Sequence, residues 1–105
     1  MAQVIWTEPA LTDLDDIASY IALDKITAAE QLVQKIFDSV ERLEKFPDSG
    51  RTPPELKSSQ YQDIIIGPCR IFYRHQKTTV FILHVMRSER KLRKYVIDAR
   101  AKHET

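Results

Sequence analysis

Apolar and polar residues follow two rhythms along this chain, a helical one first and a strand-like one later. Ahead of both, residues 3–7 read "QVIWT", a β-branched and aromatic run that predicts a short first strand. Leu11, Leu14, Ile17, Ala18 and Ile21 then share one helical face. Thr7 is placed to cap that helix, Glu8 and Pro9 suit its first turn, and Asp13, Asp15 and Asp16 fall early, where the helix dipole favours negative charge. The pattern breaks at "LDKI", residues 23–26. Thr27 and Glu30 then have the spacing of a capping box, and a longer helix is expected through Ala29, Leu32, Val33, Ile36, Phe37, Val40, Leu43 and Phe46. Two amphipathic helices on a short link predict a helical hairpin, which "FPDSGRTPPEL" ends.

The second rhythm predicts three strands, Tyr61–Ile66, Cys69–His75 and Val80–Met86, with a C-terminal helix over Glu89–Ala101. "GP" and "QKTT" leave room only for tight turns, so the strands should form an antiparallel meander. The expected class is α+β: one strand, a helical hairpin, then a meander packed on the helices, all in one domain spanning 1–105. The turns suggest that Ile66 opposes Cys69, Ile65 opposes Arg70, Arg70 opposes Val85 and Phe72 opposes Leu83. On that register one face carries Ile64, Ile66, Cys69, Ile71, Tyr73, Val80, Ile82, His84 and Met86, and should meet the hairpin. The other carries Tyr61, Asp63, Ile65, Arg70, Phe72, Arg74, Phe81, Leu83, Val85 and Arg87, apolar in the middle and cationic at the margins. The C-terminal helix or a partner chain should cover so large an apolar strip.

Charge sharpens this picture. Residues 1–50 hold ten acids and four bases, whereas residues 51–105 hold five acids and twelve bases. That split fits either an anion-seeking C-terminal half or two halves that neutralise each other. Arg87, Arg90, Lys91, Arg93 and Lys94 crowd the end of the last strand with only Glu89 against them. Cys69 is the single cysteine, which rules out an internal disulfide and a thiolate cluster. No apolar run approaches the length of a membrane span, and the first residues lack a signal-peptide plan, so a soluble cytoplasmic protein is expected.

Several segments together resemble the RelE/ParE superfamily of bacterial type II toxins. They are "W-T-x-x-A-x-x-D-L-x-x-I-x-x-Y-I" at 6–21, "L-x-x-F-P-x-x-G-R" at 43–51, "E-L" at 55–56, "C-R-I-F-Y-R" at 69–74 and "V-F-I-L-H-V-M-R-S-E-R" at 80–90. The hairpin followed by "P-x-x-G-R" is closer to the ParE branch. The resemblance implies a growth-arresting toxin neutralised by a cognate antitoxin, an acidic and partly disordered protein. Its apolar anchors would dock on Phe72, Phe81 and Leu83, and its carboxylates on Arg74 and Arg87. ParE-like members inhibit DNA gyrase, and RelE-like members cut mRNA on the ribosome without metal. Toward the cutting set, Arg70 matches the arginine of the third strand, while Arg87 or Arg90 and Tyr95 fall about one residue off. The lysine pair of the second strand is missing, since "YQDIII" offers only Gln62, Asp63 and isoleucines.

Metal-free RNA cleavage needs a base, an acid and cations for the phosphate. Arg70, Arg87 and Arg90 could serve the phosphate, and Tyr95 could stack on a base or move a proton. His84 suits acid–base work but is expected in the core, with His75 at a turn and His103 in the tail, both solvated. Cys69 reads as a small core residue and Trp6 as packing between strand and helices. No cofactor and no metal site are expected. The resulting order is gyrase inhibitor first, nuclease second and inactive interaction domain third.

Overall fold

The computed structural model describes residues 1–56 and 60–102; His103 lies outside them. The order is β1 (Gln3–Trp6), α1 (Glu8–Ala22), α2 (Ile26–Glu41), a tight 3-10 turn at Arg42–Glu44, another at Pro54–Leu56, β2 (Tyr61–Ile66), β3 (Cys69–Gln76), β4 (Thr79–Arg87) and α3 (Lys94–Lys102). The α+β plan is the one the sequence predicts. Its sheet runs β1-β4-β3-β2, with β1 parallel to β4 and the meander antiparallel.

Thr7 caps α1: its hydroxyl accepts from the Ala10 amide at 3.3 Å and donates to the Ile82 carbonyl at 2.8 Å, which ties the helix start to β4. Thr27 does not cap α2. The Leu23, Asp24 and Lys25 amides bond back to the Tyr20 and Ile21 carbonyls, so the link is short and α2 already starts at Ile26, leaving Thr27 inside its first turn. At its other end α2 stops at Glu41, before the expected Phe46. The 3-10 turn that follows drops Leu43 into the core and leaves Phe46 exposed. Trp6 packs on Phe37 of α2 with ring centroids 4.9 Å apart, bridging strand and helix as expected.

The β2–β3 register is the predicted one, with Ile66 opposite Cys69 around a turn in which Gly67 takes φ +55°. Between β3 and β4 the predicted register holds from Gln76–Thr79 to Tyr73–Ile82 and then slips. Phe72 opposes His84 and Arg70 opposes Met86, not Leu83 and Val85. The cause is a bulge: β4 spends one surplus residue, Leu83, between the two pairs. A one-residue shift exchanges the faces of everything beyond it. Val85 therefore joins the hairpin side with Ile71, while Met86 moves to the opposite side with Phe72. His84, expected in the hairpin core, instead stacks on Phe72 at 5.8 Å between centroids. Arg87 now opposes Cys69, so it leaves the face of Arg70.

Two cores result. Ala10, Leu14, Leu32, Ile36, Val40 and Leu43 of the helical half pack on Cys69, Ile71, Tyr73, Val80, Ile82 and Val85. On the other face, Leu92, Ile97 and Ala101 cover Phe72, Leu83 and Met86, with Leu56 and Tyr61 at the margin. α3 is shorter than expected because residues 88–93 form a turn, closed by an Arg90 amide to Arg87 carbonyl bond of 3.0 Å, from which Leu92 plugs the second core. A helix of nine residues does not hold itself in water, so docking holds it. Burial of Ile97 alone contributes about 2 kcal/mol.

Candidate functional site

Arg70 sits on β3, and its surroundings are acidic. Its Nε and Nη2 lie 2.9 and 2.8 Å from Asp63 Oδ2, and its Nη1 and Nη2 grip the Glu55 carboxylate at 2.6 and 2.9 Å. The guanidinium also lies 4.7 Å from the Phe72 ring centroid. Arg51 completes the group: its side chain meets Asp63 at 2.7 Å, and its backbone exchanges two bonds with that of Asp63. The hydrogen bonds from Arg70 hold the Glu55 carboxyl at about 2, well under its usual 4.5, and the same bonds raise Arg70. Arg70 is 6% exposed. It is a buried tie between β3, β2 and the Pro54–Leu56 turn, with its donors spent on carboxylates. The expectation that Arg70 and Arg87 share one cationic face is thus corrected.

Gly50 explains why the "G-R" pair stands where it does. Its amide bonds the Tyr73 hydroxyl at 2.9 Å, and a β-carbon there would sit 2.6 Å from that oxygen. Gly50 admits Tyr73, and Arg51 then reaches Asp63. The segments "G-R", "E-L" and "C-R" thereby meet in one ion-paired cluster, completed by Asp63. Sequence reasoning passed over the acids of this cluster. The available signal was Asp63 itself, a carboxylate directly ahead of three isoleucines in a strand, which is seldom buried without a partner.

A second polar cluster closes the open edge of β4. β1 pairs only as far as Ile82, so the next part of β4 lacks a neighbouring strand on that side. Asp13 of α1 fills in: its Oδ2 accepts from the Val85 amide at 3.0 Å and lies 2.7 Å from His84 Nδ1. Arg100 of α3 joins Asp13 from the other side and donates to the Leu83 carbonyl at 3.1 Å. Burial opposes ionisation of Asp13, but hydrogen bonds from His84, Arg100 and the Val85 amide outweigh it and hold the carboxyl below its ordinary value. His84 is therefore engaged in fastening α3 and α1 to the sheet. His75, expected at a turn, lies in β3 with Nδ1 3.0 Å from Asp48. Cys69 is fully buried, and burial pushes its thiol up.

Arg87 flanks an open cleft of about 1030 Å³ between α1 and the end of β4, which Arg90, Lys91, Arg93 and the exposed Tyr20 also line. Arg87 pairs with Glu89 at 2.7 Å. Tyr95 stands exposed on α3. The four candidates for a cutting centre therefore do not converge, since Arg70 is buried on one face while Arg87 and Arg90 border a cleft on the other. The partner-binding candidates divide as well. Phe72 and Leu83 are fully buried under the chain's own α3 segment, the first of the two expected covers, so they are not open to a partner's apolar anchors as the resemblance implied. Phe81 is half-buried, and Arg74 lies over its ring at 5.5 Å.

A sequence profile described as the ParE toxin of the type II toxin–antitoxin system parDE matches residues 4–92. The chain belongs to the ParE toxin family. This ParE-family toxin is 36% identical over 89 residues to the Y4kP protein of Sinorhizobium fredii, named as a toxin, covering 85% of the chain and 91% of that protein. It is 31% identical over 68 residues to toxin RelE2 of Caulobacter vibrioides, covering 65% of the chain and 73% of that relative. Among solved structures, the chromosomal ParDE system from P. aeruginosa superposes with a TM-score of 0.71 at 26% identity, covering 85% of this chain and 98% of that one. The protein is thus a toxin of a type II toxin–antitoxin system, and such a toxin has an antitoxin partner. Among the described residues, no helix is long and apolar enough to cross a membrane.

Proposed function

We propose that this toxin arrests growth in the cytoplasm by inhibiting DNA gyrase, acting as one domain over 1–105, until an acidic, partly disordered antitoxin neutralises it. The observation that carries this reading is the state of Arg70. A phosphate-gripping arginine must keep its donors for substrate, whereas Arg70 spends its donors on Asp63 and Glu55. Inhibition by binding needs no assembled cutting centre, only a surface that fits the target. Purified toxin should block gyrase supercoiling in a dose-dependent way while leaving mRNA in a translating extract uncut. Active gyrase together with cut mRNA would reverse the assignment.

The cleft beside β4 supports a second reading, an RNA-cutting toxin without a metal cofactor. Arg90, Lys91 and Arg93 border it, so an RNA backbone would find cations there, and Tyr20 offers a ring for stacking. On that reading Arg87 and Arg90 would hold phosphate, Tyr95 would act from the adjoining helix, and Arg70 would serve only as scaffold.

A further inference from the structure

Two arginines on the same strand and the same face have opposite fates. Arg70 is saturated. Arg74, four residues along β3, is 6% exposed, and among the described residues its Nε and Nη2 are buried without a hydrogen-bond partner. These two atoms form one edge of the guanidinium, with their N–H bonds parallel, the geometry that takes a carboxylate side-on. In Arg70 the same edge, Nε and Nη2, is filled by Asp63. Buried donors are rarely left unbonded in a native fold, and an orphaned one points to a missing acceptor.

The neighbours say what kind. Tyr61, Arg74, Phe81 and Ile5 are paired in register across the four strands. Ile5 is 36% exposed and Phe81 half-buried, so this row stays partly open where Phe72 and Leu83 do not. It combines apolar surface with a single cation. A nucleic-acid backbone would ask for repeated cations, whereas an acidic side chain flanked by apolar residues matches one guanidinium between hydrophobic neighbours.

We propose that the Nε–Nη2 edge of Arg74 is the socket for one Asp or Glu side chain of the antitoxin, whose adjoining apolar residues pack on Phe81 and Ile5. This rests on the assignment of an antitoxin partner and narrows it. Among the sheet arginines the anchor is Arg74, because Arg70 is already satisfied within the chain. The carboxylate enters a site shielded from water, where a charge-assisted pair is stronger than at the surface. It also supplies an acceptor for two buried N–H groups that have none among the described residues.

The test uses the full-length toxin and its operon-encoded antitoxin, with binding read by calorimetry and docking mapped by amide hydrogen exchange. Arg74→Met should melt no lower than wild type, because it removes buried N–H groups that have no acceptor among the described residues, and should weaken antitoxin binding at least tenfold. Arg74→Lys keeps the charge but loses the fork, and should also weaken binding. Neutralising antitoxin acids one at a time should identify one residue whose effect vanishes in the Arg74→Met background. On complex formation the Arg74 Nε–H resonance of wild-type toxin should shift. Protection of the Tyr61 and Phe81 strands with binding within twofold of wild type in Arg74→Met overturns the socket while leaving the docking face standing. Protection confined to other surfaces overturns the docking face and the socket together. An Nε–H signal unchanged by antitoxin overturns the socket even if the substituted toxins fail to fold.

Discussion

Replacing Arg70 by Met separates a scaffold from a target-gripping residue. Methionine keeps much of the stem and deletes the guanidinium. The loss removes the contacts of 2.6 to 2.9 Å with Asp63 and Glu55, and Asp63, whose side chain is 0% exposed, loses one of its two cations. Breaking a buried ion pair from one side costs about 3–5 kcal/mol. Arg51 still reaches Asp63 at 2.7 Å, so the lower end, about 3 kcal/mol, applies. With an unfolding entropy near 2.1 cal/mol/K per residue, a chain of 105 residues has about 0.22 kcal/mol/K, and the melting temperature should fall by about 14 °C. Circular dichroism melts at 222 nm, run beside growth-arrest assays on expression, give both readouts. A variant that melts within about 3 °C of wild type yet has lost toxicity would refute the reasoning, because Arg70 would then be acting on the target.

Gly50→Ala places a β-carbon 2.6 Å from the Tyr73 hydroxyl and 2.8 Å from the Asp63 carbonyl oxygen, so the urea midpoint should drop by the equivalent of about 2 kcal/mol. Glu55 has a folded pKa of about 2 against 4.5, so its contribution is full above pH 4.5 and is lost as the pH falls toward 2. The gap in melting temperature between wild type and Glu55→Gln should therefore close across that window. Because the Glu55 side chain is 35% exposed, the gap at neutral pH corresponds to only about 1 kcal/mol after solvent screening. Asp13 is shifted in the same direction, and stability measured against pH should show its loss at acid pH as well. Arg87→Ala should melt like wild type, since its carboxylate partner Glu89 is a surface group; a clear drop in melting temperature would show that the pair holds the 88–93 turn.

Element types and the order of the fold were legible because each rests on local pattern: the spacing of Leu32, Ile36 and Val40, the cap at Thr7, the turn at Gly67. The extra residue at Leu83 was not, because "FILHVM" is a nearly continuous apolar run that does not mark which residue faces which side, and a bulge is decided by what lies on either side. With the bulge went the sidedness of His84, Val85, Met86 and Arg87. The motif residues Gly50, Arg51, Glu55 and Arg70 were visible as motifs, but their common purpose was not. It depends on Asp63, which the chain delivers from a different strand. Arg74 was chosen for its charge and strand position, yet its burial beside Phe81 follows only once the strands are paired.

The surplus residue in β4 acts as a parity switch for the whole end of the molecule. Were all of β4 to pair evenly past Ile82, with Leu83 opposite Phe72 and Val85 opposite Arg70, Arg87 would come round beside Arg70 and Met86 would turn toward the helical hairpin. Removing the surplus residue, by contrast, keeps Val85 opposite Ile71 and Met86 opposite Arg70 and only straightens the strand. The handedness of this end is thus written in which residue stays out of the ladder, and Leu83 occupies that place as a fully buried side chain of the second core.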